Sequence, residues 1–310
     1  MTVVGVDLGG TKIAAATVDR LGRAGPVRRR VTPAKDGPDA VLDAIAAVVD
    51  DALAAASLEA RPVLRGVGIG AAGVIDPGRG LVLSSTDAIA DWSGTAIATA
   101  VATRLGLPAA GVTVHNDVDA HALGETWTGA AAGVSSALVV AVGTGIGGAW
   151  WLGEALWVGE RFTAGEIGHM PTPGAGHLVC ACGRTGHLEA LGSGPGLYRH
   201  YLAIGGDAHA GNARDVVALA ATDSVAARAV SDAATAVGRA VAGLVTAVGP
   251  EVVVVTGGVP EAGPVWWQPF ESALRDELID VLHDVPVRRA ALGELAAVIG
   301  SARRVWEALA

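Results

Sequence analysis

Lysine is almost missing from this 310-residue chain: Lys12 and Lys35 are the only two, and arginine carries the rest of the positive charge. The formal net charge of −9 leaves no basic excess for a phosphate backbone to meet, which argues against a nucleic-acid partner. The one basic run, Arg28 to Arg30, reads more simply as a solvated strand end than as a binding patch. Aromatic residues make up 4% of the chain against 51% hydrophobic, so Ala, Val, Leu and Ile must build the core. No apolar window can span a bilayer: Asp43, Asp50 and Asp51 break one, and Arg239, Pro250 and Glu251 break another, so no membrane partner is expected. The opening "MTVVGVDLGGT" lacks a basic leading region and carries Asp7, so it does not read as a signal peptide. A cytoplasmic protein is expected, in which the two cysteines, Cys180 and Cys182, stay reduced.

Glycine, by contrast, is abundant and placed with a pattern. "TVVGVDLGGTKIAAATVD" reads as a strand, a turn at Gly9 and Gly10, and a second strand. "SALVVAVGTGIGGAWWLGE" repeats the design in the second half of the chain. Helical periodicity marks "DAVLDAIAAVVDDALAAA", the stretch after Asn116, the Ala-rich run from about Val225 to Val248, and the C-terminal "GELAAVIGSARRVWEALA". "RGVGIG", "GVTVHND" and "EVVVVTGGV" read as buried strands. The duplication predicts two similar α/β domains around a central cleft, one of residues 1–116 with 297–310 and one of 117–296, with a hinge near Asn116. Trp150, Trp151, Trp266 and Trp267 read as core or subunit-interface residues.

Three glycine turns follow apolar strands: "DLGGTK" (Asp7 to Lys12), "GTGIGG" (Gly143 to Gly148) and "TGGV" (Thr256 to Val259). Each alone is explained by a tight turn. Together, at the carboxyl ends of strands, they suggest a nucleoside triphosphate cradled by backbone N–H groups, with Thr11 and Thr144 adding hydroxyl donors. The spacing is not that of a Walker loop.

These turns, with Asn116-Asp117, Gly165-Glu-Ile-Gly-His169 and the Cys-x-Cys-Gly-x-x-Gly-x-x-Glu run, resemble the ROK family of sugar kinases along the whole chain. The resemblance implies the actin-like, hexokinase-type (ribonuclease H-like) ATPase fold and a tendency to form homodimers. ROK repressors carry an N-terminal helix-turn-helix, and with a glycine loop within ten residues of Met1 no such extension is expected here.

The resemblance also implies roles. Asp117 matches the catalytic base that accepts a sugar hydroxyl's proton, a task that needs a carboxylate in reach of that hydroxyl. Asn116 matches a sugar contact, although an N-cap alone would explain it. Asp119 and His121 are then ordinary helix residues. Asp7 would face the Mg²⁺ shell through water, beside Gly9, Gly10, Thr11 and Lys12. Thr144 and Gly145 would lie near the phosphates of ATP, and Gly257 and Gly258 near the adenosine. Glu166, His169 and Glu189 match sugar contacts, which fits the hydrogen-bonding needs of vicinal hydroxyls. The expected reaction is ATP-dependent phosphorylation of a hexose at its 6-hydroxyl, with glucose first. The stretch from Thr86 to Trp92, with Ala88 and Ile89 where glucose-type members often have Asn-Leu, is similar to the N-acetylmannosamine kinase branch, so N-acetylmannosamine or N-acetylglucosamine is the alternative substrate. Outside the kinases, the alternatives are a non-catalytic sugar sensor or an actin-like ATPase module.

His169, Cys180, Cys182 and His187 offer four N or S ligands for a structural zinc, where the family usually has a third cysteine in place of His187. His177 is a competing ligand, three residues before Cys180. His169 would hold zinc with one ring nitrogen and face the sugar with the other.

Overall fold

The computed structural model of the chain describes residues 2–56, 63–86 and 88–310. It opens with β1 (Thr2–Leu8), β2 (Lys12–Val18), β3 (Arg28–Val31), α1 (Pro38–Ala56) and β4 (Leu64–Ala71). Next come β5 (Val74–Asp76), β6 (Leu81–Ser84), α2 (Ile97–Leu105), β7 (Val112–Asn116) and α3 (Asp117–Thr128). The middle of the chain forms β8 (Ser136–Val142), β9 (Ile146–Leu152), β10 (Ala155–Trp157), α4 (Leu188–Gly192), α5 (Gly194–Ala203), α6 (Ala213–Leu219) and α7 (Ser224–Val248). It ends with β11 (Val252–Thr256), α8 (Pro264–Glu277), β12 (Val287–Arg289) and α9 (Ala296–Ala308).

The chain divides into two compact units, residues 1–134 with 154–163 and 290–310, and residues 135–153 with 164–289. In the first, the strands lie in the order β3-β2-β1-β4-β7. The β1–β2 hairpin is antiparallel, while β4 runs parallel to both β1 and β7. Strands covered on both faces have no polar side, which is why "VVGV" reads as an unbroken apolar run. Val4, Val6 and Leu8 pack with Val41, Ile45 and Val48 of α1, whereas Val3 packs with Val298, Ala302 and Val305 of α9. Arg28 to Arg30 lie on exposed β3, as a solvated strand end should.

The second unit repeats the plan. β9, β8, β11 and β12 lie side by side in that order, with β8–β9 antiparallel and β11 parallel to β8 and β12. Its core joins Leu138, Val140 and Val142 of β8 to Val230, Val237 and Val241 of α7. Trp150, Trp151, Trp266 and Trp267 are all buried here, at 8% exposure or less.

The division differs from the boundary expected at Asn116. Helix α3 follows that residue yet belongs to the first unit, because it packs along α9. The two helices touch backbone to backbone: a Cβ on Gly300 would collide with the Ala120 carbonyl oxygen. The first unit therefore runs to Val134 and takes up residues 290–310. Among the described residues, no helix is long and apolar enough to cross a membrane.

Candidate functional site

In the first unit, the reactive groups gather at the carboxyl ends of β1, β4 and β7. Asp7 pairs in register with Gly70 of β4, and Ala71 pairs with Asn116 of β7. The Gly9–Gly10 turn closes the hairpin through Gly9 N–H donating to the Lys12 carbonyl at 3.0 Å. The Thr32 hydroxyl donates to the Gly9 carbonyl at 2.7 Å, and Thr11 stands exposed at the turn.

Asn116 caps α3. Its Oδ1 accepts from Val118 N–H at 2.8 Å and Asp119 N–H at 3.3 Å, and its Nδ2 donates to the Gly73 carbonyl at 3.0 Å. The cap orients Asp117 in the first turn, whose Oδ1 accepts from the Val118 N–H at 2.9 Å. The charge of Asp117 acts on Asp7. Burial, then the charge of Asp117, pushes the Asp7 carboxyl up to about 7, with Lys12 pulling the other way and Glu294 adding to the rise.

Glu294 is a member that sequence reading missed. It accepts from Lys12 Nζ at 2.6 Å and from Arg29 Nη2 at 3.1 Å, and both partners hold its carboxyl below the usual range. A second missed carboxylate, the fully buried Glu125, fixes the preceding segment. It accepts N–H groups from Ala130 at 2.7 Å, Ala291 at 3.1 Å and Leu292 at 2.8 Å. His121, set aside as an ordinary helix residue, has a buried Nδ1 with no partner among the described residues. Burial lowers its pKa against the pull of Asp117 and Glu125.

Thr86 is exposed, and Asp87 of the same stretch lies outside the described residues. Ile89 and Trp92 are buried, and they anchor this segment beside the first glycine turn, where Ala88 comes within 3.5 Å of a Cβ built on Gly10.

The second unit carries the other two turns on adjacent parallel strands, Thr144 and Gly145 after β8, Gly257 and Gly258 after β11. Gly257 has φ of 103°, and a Cβ there would collide with the Val142 carbonyl, so this turn is closed to larger residues. Thr144 and Gly258 are exposed.

Glu189 links the β8 turn to the cysteine loop: its Oε2 accepts the Ile146 N–H at 3.0 Å, and its Oε1 lies 3.8 Å from the Cys180 thiol. His169 faces two ways. Its Nδ1 is 3.6 Å from Cys180 Sγ, and its Nε2 is 3.7 Å from Glu166 Oε2.

The loop itself is a tight turn in which Gly183 N–H donates to the Cys180 carbonyl at 2.9 Å, with Gly183 at φ of 83°. That turn presents both thiols together. His169, Cys180, Cys182 and His187 offer ligand atoms all within 4.8 Å of one another, and Cys182 Sγ is 3.3 Å from His187 Nδ1. Tetrahedral zinc, with bonds of about 2.3 Å to sulfur and about 2.05 Å to nitrogen, sets S···N separations near 3.6 Å, so the donor set fits. Burial first, then the Cys182 side chain and the Glu189 charge, push the Cys180 thiol up to about 11 against the pull of the Cys182 backbone. His177 stays outside the cluster and turns to His200 instead, 3.4 Å away.

Comparison with known proteins matches residues 3–307 to the ROK family. A glucokinase from Halalkalibacterium halodurans is 32% identical over 96% of this chain and 92% of its own length. The ROK hexokinase from Thermus thermophilus superposes with a TM-score of 0.84 at 35% identity, covering 100% of this chain and 99% of that one. A ROK family glucokinase from Streptomyces griseus, in complex with glucose and AMPPNP, gives a TM-score of 0.81 at 32% identity over 99% and 100% of the two chains. The repeated hairpin-and-parallel-strand topology is therefore the hexokinase-type, actin-like fold. With its motifs, its topology and its relatives in agreement, the chain belongs to the ROK family, and it is a sugar kinase.

Proposed function

We propose that this kinase transfers the γ-phosphoryl group of ATP to the 6-hydroxyl of a hexose, with glucose as its substrate. The observation that carries the reading is Asp117. It is a carboxylate held by the Asn116 cap at a strand's carboxyl end, and it is close enough for its charge to act on Asp7. In the step, the sugar oxygen forms a bond to the γ-phosphorus, the bond to the β–γ bridging oxygen breaks, and ADP leaves. The hydroxyl proton passes to the Asp117 carboxylate. Asn116, Thr86, Glu166, His169 and Glu189 are assigned to the sugar, whose hydroxyl pairs suit carboxylates, amides and imidazoles. Gly9, Gly10, Thr11, Lys12, Thr144 and Gly145 are assigned to the phosphates, and Gly257 and Gly258 to adenosine.

Asp7, at the carboxyl end of β1 beside the first glycine turn, would face a Mg²⁺ ion through water. The ion, when bound, neutralises charge on the phosphates. Lys12, paired with Glu294, is the cation of the first turn and would exchange that partner for phosphate oxygens.

His169, Cys180, Cys182 and His187 would hold a structural zinc, which organises Glu189 and His169 and takes no part in the chemistry. At nanomolar free zinc, the purified protein should retain about one zinc per chain, and His187→Ala markedly less. Full retention in that variant would contradict the ligand assignment.

N-acetylmannosamine is the second reading, favoured by the Thr86–Trp92 stretch. A panel of hexoses with ATP, followed by ADP release, separates the two. The largest kcat/KM is expected with glucose, and a larger value with an N-acetylhexosamine would overturn the glucose assignment.

A further inference from the structure

His177 was a competing ligand for the cysteine cluster, and the structure gives it a different neighbour. It stands exposed in the cysteine loop, with its Nε2 3.4 Å from Nδ1 of His200 on α5. His200 is buried, at 5% exposure. On its far side, His200 Nε2 lies 3.0 Å from Oδ2 of Asp232 on α7, and Arg228 Nε lies 3.5 Å from the same oxygen.

The chemistry of this line of groups is specific. A carboxylate only accepts, so Asp232 fixes the proton of His200 on Nε2 and leaves a lone pair on Nδ1, aimed at His177. A neutral His177 with its proton on Nδ1 presents a second lone pair from Nε2. Two imidazole nitrogens bound to one tetrahedral ion, each at about 2.05 Å, stand about 3.35 Å apart. The observed 3.4 Å is close to that figure and lies at the long end of hydrogen-bond distances. A carboxylate behind a ligating histidine is also the usual companion of a metal-bound imidazole.

We propose that His177 and His200 form a second metal site, separate from the cysteine cluster, that takes a borderline divalent cation such as Zn²⁺. Asp232 acts as its positioning residue. Two protein ligands leave the remaining coordination positions to water, which the exposed side of His177 admits. The site is therefore weaker than the four-ligand cluster, and its ion would tie the cysteine loop to α5 and α7.

Equilibrium dialysis of the full chain against buffered Zn²⁺ alone tests this. In the micromolar range of free zinc, the wild type should bind one more ion per chain than His200→Ala. His177→Ala, at an exposed position, should show the same loss, which guards against a folding defect in the buried variant. Asp232→Asn should keep the site but need about 10- to 100-fold more zinc to fill it. The readout is the difference between wild type and these variants, so it is independent of how tightly the cysteine cluster binds and of the substrate. Equal uptake by wild type, His177→Ala and His200→Ala overturns the proposal, as does an unchanged affinity in Asp232→Asn.

Discussion

Asp7 carries an electrostatic load that can be read without any ligand. Its folded pKa of about 7 lies above the ordinary 3.8, because burial and Asp117 both disfavour its charge. A carboxyl raised in this way contributes stability that is complete below about pH 4 and is lost as pH rises through about 7. Ligand-free Asp7→Asn should therefore be more stable than wild type at pH 8, by roughly 1–3 kcal/mol, with the gap closing towards pH 5. Denaturant melts at the two pH values check this, and a gap that does not change with pH would refute it. At this scale the sequence was informative where a residue sits next to its own glycine turn or cap, as Asp7, Asn116 and Asp117 do. Glu294 was illegible because its place depends on Ala291 and Leu292 being tied to Glu125, 166 and 167 positions away. His187 was favoured over His177 from its matching position in the loop, whereas the pairing of His177 with His200 on α5 was hidden.

Among the elements, the strands and their glycine turns were legible because buried parallel strands leave unbroken apolar runs and turns concentrate glycine. The repeat of the hairpin was legible for the same reason. The unit boundary was not, because nothing in the periodicity of α3 says that its partner is α9, far along the chain. Their contact is made at Gly300, where any Cβ would meet the Ala120 carbonyl. Gly300→Ala must push the helices apart, and it should lower stability by about 1–3 kcal/mol. A thermal melt reads this directly, and an unchanged Tm would show that the helices can part without loss. Helix α9 also covers β1 and β4, so the strain would reach the strand that carries Asp7.

For the molecule as a whole, family and fold agree with what each unit offers. The first supplies a carboxylate pair and a glycine turn, and the second supplies two more turns, a polar trio and a four-ligand cluster. In the proposed function, what the chain does with them turns on Asp117. A base contributes on the order of 10²- to 10⁴-fold to such a reaction, while binding rests on other groups. Asp117→Asn keeps the side chain's size and its place under the Asn116 cap, so it isolates that contribution. The decisive measurement is kcat for this variant with glucose and ATP, beside its glucose affinity by calorimetry. The account predicts that glucose binding stays close to wild type while kcat falls by at least about 10²-fold. A variant that binds glucose and keeps most of its turnover would contradict it.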